Sequence, residues 1–204
     1  MSFQWIIDNA STISVDRNPV VGQSITRNQT VRAVSRGSGI WKFTVELPNG
    51  LAWSEIRPDI SKMEALGKFA TGTIQVSNTG QNYIVKYQGN SVNYTGFYAT
   101  TTAGSASITL TTSPTTSSGY KFRAGDIIQL GTNPTIYTVA ADVAYNSNSV
   151  TLNRSVETTG TNVNLKVGPN VTWTVICTQM PRWTISEYNL VQWDGPFVFY
   201  ENRV

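Results

Sequence analysis

The sequence predicts a mainly β protein in two parts: a discontinuous β-sandwich or barrel domain carrying one α-helix, and a small β-barrel inserted into it. Three observations carry that reading. Threonine, serine, asparagine and valine are abundant, and charged residues make up only 13%, against roughly 25% in an average soluble domain. Apolar and polar residues alternate with period two along most of the chain, which suits a pleated, half-buried strand. Only residues 54–68 combine helical spacing with helix-start signals.

In chain order, Phe3, Trp5 and Ile7 alternate, as do Ile13 and Val15, and Asn18-Pro19 marks a turn. The runs 31–36 and 40–47 alternate on either side of Gly37-Ser38-Gly39, so they predict a hairpin. In 54–68, Ser54 suits a cap, Pro58 a first turn, and Glu55 and Asp59 the positive end of the helix dipole. Ile56, Ile60, Met63 and Leu66 fall on one face and Gly67 ends the helix. Strands resume at 72–76 and 82–87.

Composition shifts near residue 88. From there to 170 only seven residues are charged, yet strand patterns persist at 107–110, 125–131, 136–139, 149–152 and 163–167. Close-spaced short strands imply a small closed barrel. Within it, residues 105–113 and 147–155 share the pattern S-x-S-[I/V]-T-L-x-x-S. After Pro169 the pattern seen in residues 1–87 returns: Trp173, Val175 and Cys177 alternate, then Trp183 and Ile185, then an aromatic end at Trp193, Phe197, Phe199 and Tyr200. The domains read as 1–87 with 171–204, and 88–170 inserted between them. Insertion at an exposed turn is well tolerated.

The residue inventory narrows the chemistry. There is no histidine and one cysteine, which removes Ser-His-Asp and Cys-His catalysis, zinc sites of His or paired Cys, and any internal disulfide. Cys177 shares a phase with Trp173 and Val175 and reads as a core residue. Asp126 and Asp142 flank one predicted hairpin. They read as turn residues, though a carboxylate pair for glycan hydrolysis is the enzymatic alternative. No phosphate-binding loop appears, since Gly37-Ser38-Gly39 is followed by a strand pattern. No cofactor and no enzymatic activity are expected. The start lacks a signal-peptide pattern and no run approaches a membrane span, so folding in a cytosol is expected.

Two surfaces are candidates for binding. Arg17, Arg27, Arg32, Arg36 and Lys42 follow one another with no acid between Asp16 and Glu46. They form either a solvated strand face or a basic surface that meets Glu46, Glu55 and Asp59 of a neighbouring copy. Trp5, Trp41, Trp53 and Trp193 exceed what a small core needs, and tryptophan is favoured at interfaces. In the insert, Tyr94, Tyr98, Tyr120, Lys121, Arg123 and Tyr145 offer a ligand or partner surface of the kind small oligosaccharide/oligonucleotide-type (OB) barrels use. A carbohydrate-binding module acting through that surface is the main alternative to a structural role. The insert's net charge of about +1 is too low for a strong nucleic-acid groove.

The opening Phe3-Gln4-Trp5-Ile6-Ile7-Asp8-Asn9-Ala10, then Arg32-Ala33-Val34-Ser35-Arg36-Gly37 and Trp41-Lys42-Phe43-Thr44-Val45, resembles distal tail (Dit) proteins of long-tailed siphophages, most of all those of the T-five-type coliphages. Residues 122–131, 136–139 and 149–152 also resemble a segment recurrent in phage tail proteins. The resemblance implies a structural virion protein at the tail tip, or baseplate, assembled in the host cytoplasm. The first domain would form a homohexameric ring that joins the tail tube to the baseplate hub and lets DNA pass without specific recognition. The insert would be an OB-like barrel projecting towards collar or fibre proteins, or cell-surface sugar. The family brings no catalytic residue and no metal.

Overall fold

The computed structural model describes residues 2–18, 21–25, 31–35, 39–66, 71–76, 82–91, 93–114 and 118–203. Strand outweighs helix by 46% to 14%, the mainly β character that the composition predicts. The chain divides into two compact units, Met1–Thr73 with Thr174–Asn202, and Ile74–Trp173 with Arg203–Val204.

The first unit opens with α1 (Gln4–Asp8), β1 (Thr12–Asn18), β2 (Val21–Ile25), β3 (Val31–Ser35), β4 (Ile40–Glu46), β5 (Leu51–Ala52), α2 (Trp53–Leu66) and β6 (Thr71–Ile74). The second contains β7 (Phe97–Thr101), β8 (Ser107–Thr112), β9 (Tyr120–Phe122), β10 (Ile127–Leu130), β11 (Ile136–Thr138), β12 (Val143–Ala144), β13 (Ser149–Thr151) and β14 (Gly160–Val167). The chain then returns through β15 (Trp173–Gln179), β16 (Arg182–Ile185), β17 (Leu190–Asp194) and β18 (Phe197–Glu201) to complete the first unit.

In the first unit one sheet runs β1-β4-β18-β15-β6 and a smaller one β16-β17-β5. Trp41, Phe43 and Val45 of β4 are buried with Val175 and Cys177 of β15 and Phe197 and Phe199 of β18. Each such side chain contributes roughly 1.5–3 kcal/mol of transfer free energy. Helix α2 buries Ile56, Ile60 and Met63, positions that the spacing selects; the side chain of the fourth, Leu66, lies outside the described residues. Ile56 and Ile60 cluster with Val191, and Trp5, Leu51, Trp53, Met180, Trp183 and Trp193 pack around them. Trp53 and Trp183 stack at 4.6 Å, and Trp193 meets Phe197 at 5.3 Å. Of the tryptophans expected at an interface, Trp5, Trp53 and Trp193 are half-buried against the α2 cluster, and Trp41 is buried on β4.

Four local expectations fail. Residues 4–8 are helical rather than extended, because Phe3, Ile6 and Ile7 are the buried positions and that spacing is helical. Asn9 closes the turn, its Nδ2 donating to the Trp5 carbonyl at 2.8 Å. The hairpin around Gly37-Ser38-Gly39 does not form: β3 pairs with β2, and β4 pairs with β1 and β18. An apolar strand gains more inside a five-stranded sheet than beside its chain neighbour. Residues 82–84 form a 3₁₀ turn rather than the start of a strand, leaving Tyr83 75% exposed with the Lys86 ammonium 5.6 Å from its ring. Pro58 is the sixth residue of α2, past the first turn, where it removes the bond that would reach Ser54. Gly37, Ser38 and Gly67 lie outside the described residues.

In the second unit the main sheet runs β11-β10-β14-β7-β8-β13, every pair antiparallel, with β9 and β12 as a separate pair. The sheet curls until its edges meet. Val139, just past β11, bridges Leu152, just past β13, and the Ala140 N–H donates to Thr151 at 2.8 Å. Phe97, Ile108, Leu110, Phe122, Ile128, Tyr137, Val150, Leu152, Leu165 and Val167 fill the inside. Phe97 and Phe122 lie 4.7 Å apart, and Tyr87 closes over them with its hydroxyl donating to the Lys121 carbonyl.

Candidate functional site

The basic stretch does not lie on one face. Arg17 stands opposite Trp41, and Lys42 stands between Asp16 of β1 and Tyr200 of β18. Neighbouring strand positions point to opposite faces, so Arg17 shares the core side, its guanidinium 5.5 Å from the Trp41 ring, and Lys42 takes the outer side. Arg32 is opposite Ser24 in the β2–β3 pair. Arg27 and Arg36 lie outside the described residues. Of the acids, Glu46 ends β4, the strand that carries Lys42, and Glu55 and Asp59 are on α2, where Asp59 pairs with Lys62 at 3.3 Å. Asp59 and Lys62 also border a shallow hollow of about 370 Å³ with Ser2, Gln4 and Trp5.

The candidate residues of the second unit fall in three places. Tyr120, Lys121, Arg123 and Tyr145 gather at the β9–β12 pair, where the Tyr145 N–H donates to Gly119 at 3.0 Å. Arg123 stacks on Tyr120 at 3.8 Å and its guanidinium reaches Asp142 at 2.7 Å. Lys121 is buried, its ammonium donating to the Ser147 carbonyl at 2.9 Å and to Asn148 Oδ1 at 2.7 Å. Burial lowers its pKa. Lys121 thus ties the strand down rather than facing a ligand. Tyr94 packs against Tyr87 at 6.0 Å, beside the core. Tyr98 stands apart on β7, lining a groove of about 380 Å³ with Thr95, Gly96, Asn164, Leu165, Lys166 and Asn170. Sequence reasoning selected Tyr98 but missed Asn164 and Lys166. Both lie on the outward phase of β14, and only the sheet order brings that phase beside β7.

Asp126 and Asp142 both serve one turn. Asp126 is buried and accepts the Arg123 N–H through one oxygen and the Gln88 N–H through the other, each at 2.8 Å. Burial raises its pKa above the usual carboxylate range. Asp142 accepts the Ala124 N–H at 2.8 Å as well as Arg123, and these bonds lower its pKa. The geometry matches the turn-forming role read from sequence. Cys177 is buried, its Sγ–H donating to the Gln179 carbonyl at 3.4 Å, and burial pushes the thiol up to about 11.

Among the described residues, no three of His, Cys, Asp and Glu converge as a metal site would need, and no helix is long and apolar enough to cross a membrane. No protein-family model matches the chain, and no curated protein matches it either.

Proposed function

We propose that this chain is a structural subunit of a phage tail tip, assembling head to tail into a six-membered ring that joins the tail tube to the baseplate hub and lets DNA through. The observation that carries the reading is that β1 ends the strand order of the first unit's large sheet, with β4 its one strand neighbour among the described residues, in a chain whose opening resembles Dit proteins. An open edge presents unpaired N–H and C=O groups and invites strand addition by another chain. At the opposite edge, Ser2 already bridges Thr73 of β6, with the Phe3 N–H donating to Thr73 at 2.9 Å. The two edges therefore differ, which favours a heterologous contact, and such a contact closes into a ring when its rotation allows.

The nested pairing, β2 with β3 and β1 with β4, gives the ring an arm of two strand pairs. Arg17, Arg27, Arg32, Arg36 and Lys42 belong to the segment that supplies this arm, and Glu46, Glu55 and Asp59 of the adjoining copy supply the opposite charge. The second unit is the outward module. Its closed curl has the build of a small OB-like barrel with six strands where that type has five. It meets collar or fibre proteins. The protein works by contact, without catalysis or cofactor, at the virion tail tip.

Mass photometry of the purified chain, with negative-stain images of assembled tails, tests the ring. Particles of six times the monomer mass with a central hole are expected. Monomers at every concentration, together with no six-fold density in tails, would overturn the reading.

A further inference from the structure

The second unit is built twice over from one three-strand element. The two copies of the sequence echo are β8 and β13, and they pair with each other: Ser107↔Thr151, Ile108↔Val150, Thr109↔Ser149. Their flanking bonds match, Leu110 N–H to Asn148 and Leu152 N–H to Ala106, both 2.8 Å. The same two-fold relation holds across β10 and β14, where Ile128↔Val167 and Leu130↔Leu165 flank Gln129↔Lys166. It extends to the next strands, since Ile128 faces Tyr137 and Leu165 faces Phe97. The relation exchanges β7, β8 and β10 with β11, β13 and β14. Lys166 takes the place of Gln129, Tyr98 that of Thr138, and Gly96 that of Ile136.

The two equivalent outer faces have different fates. At β10 and β11 the face around Gln129 is covered: Ile127, Gln129 and Ile136 are all buried. The Gln129 side chain holds a stretch of main chain, its Oε1 accepting the Thr172 N–H and its Nε2 donating to the Thr172 carbonyl, both at 3.0 Å. Val171, just before, is extended (φ −72°, ψ 134°). A carboxamide paired both ways with one residue's backbone reads an extended peptide as a neighbouring strand would. At β14 and β7 the equivalent ground is the open groove of Gly96, Tyr98, Asn164 and Lys166. Asn164 supplies a carboxamide there. Lys166 stands where Gln129 stands in the filled half, and it forms no ion pair among the described residues.

We infer that this groove docks an extended, acidic peptide segment of a partner protein, held as Gln129 holds Thr172. The Asn164 carboxamide pairs with its backbone, Tyr98 packs on it, and the Lys166 ammonium selects a carboxylate. The inference does not depend on the ring.

An amide-resolved NMR titration of the full chain tests it, using the blocked hexapeptides Ac-VEVTVE-NH2 and Ac-VKVTVK-NH2 and an N-acetylglucosamine hexamer. The acidic peptide should shift Gly96, Tyr98, Asn164, Lys166 and Asn170 and bind at least about threefold tighter than the basic one at low salt, as a solvent-facing ion pair allows. Lys166→Glu should reverse that preference. Should that variant fail to fold, Lys166→Gln should abolish it while keeping weak binding of both peptides. Peptide shifts confined to other surfaces, equal binding of both peptides, no shifts at millimolar peptide, or groove shifts with the sugar alone would each overturn the inference.

Discussion

Ile108 and Val150 face each other across β8 and β13, and they are also the same position of the repeated S-x-S-[I/V]-T-L-x-x-S pattern. Both are buried, at 2% and 0% exposure. Direct cross-strand neighbours share packing partners, so their contributions to stability are not independent. Ile108→Ala should cost about 2–5 kcal/mol by loss of transfer energy and creation of a cavity. Val150→Ala should cost somewhat less. The double variant should depart from additivity by roughly 0.5–1 kcal/mol or more. Urea unfolding followed by tyrosine and tryptophan fluorescence measures all three.

The first unit rests on α2 in the same way. Ile60 is fully buried at the centre of the tryptophan cluster. Ile60→Ala should destabilise by about 2–5 kcal/mol and disturb the Trp53–Trp183 stack, changing near-ultraviolet circular dichroism. Glu64→Ala, one turn on and exposed, should stay within about 0.5 kcal/mol of the parent. Equal losses from the two would mean that the helix does not pack by that face.

How much of this was legible in the sequence varied with the kind of signal. Ile56, Ile60 and Met63 were legible because helical spacing and a buried stripe are the same statement. The strands at Ile108, Ile128, Tyr137, Val150 and Leu165 were legible for the corresponding period-two reason. Partnership was not legible. Val34 and Trp41 lie either side of Gly37-Ser38-Gly39 in the sequence, but β4 is drawn between β1 and β18 by a burial requirement that no local pattern encodes. Phe3, Trp5 and Ile7 alternate, and only the additional burial of Ile6 turns that run into a helix. The groove at Tyr98 was half legible. A half-buried aromatic such as Tyr98 can be picked out by type, whereas Asn164 and Lys166 join it through a pairing some 66 residues distant in sequence.

Two glycines separate strain from crowding. Gly168 and Gly104 both have positive φ, +56° and +84°, a region that costs other residues about 1–2 kcal/mol. A Cβ at Gly168 would lie 2.8 Å from the Val85 carbonyl oxygen, whereas one at Gly104 would meet nothing within 4 Å. Gly104→Ala should therefore cost about 1 kcal/mol and Gly168→Ala clearly more, roughly 2–4 kcal/mol. Thermal unfolding of the two single variants compares them directly.

Asp126 and Asp142 should titrate in opposite directions. Burial raises the Asp126 pKa above 3.8, while the Ala124 N–H, and then Arg123, lower that of Asp142 below it. On acidification Asp126 takes its proton first. A raised carboxyl pKa favours the folded state on the acid side, and that advantage is lost as pH rises through the folded pKa. Asp142 has the reverse sign: its contribution is present above the unfolded value and is lost as pH falls through its depressed folded value. Carboxyl-resolved NMR should place the Asp126 midpoint above that of Asp142. The stability difference between the parent and Asp142→Asn should be largest near neutral pH and shrink towards pH 2. A difference that grew with acid would contradict the assigned hydrogen bonds.

The Cys177 thiol offers a probe of the first unit's integrity. Its pKa is pushed up to about 11, so at pH 8 only about one molecule in a thousand carries the thiolate, the form that attacks a disulfide or alkylating reagent. An unperturbed thiol near 8.5 would be roughly a quarter ionised at that pH. Ionisation alone therefore slows labelling by about two orders of magnitude. The site's 8% exposure slows it further, because the reagent must also reach sulfur packed between β15 and the interior. Labelling by a thiol-specific chromogenic reagent should be negligible in native buffer and become complete on addition of denaturant, following the unfolding transition of the first unit. Rapid labelling without denaturant would mean that β15 detaches from the sheet in the native state, and the buried phase assigned to Trp173, Val175 and Cys177 would then be wrong.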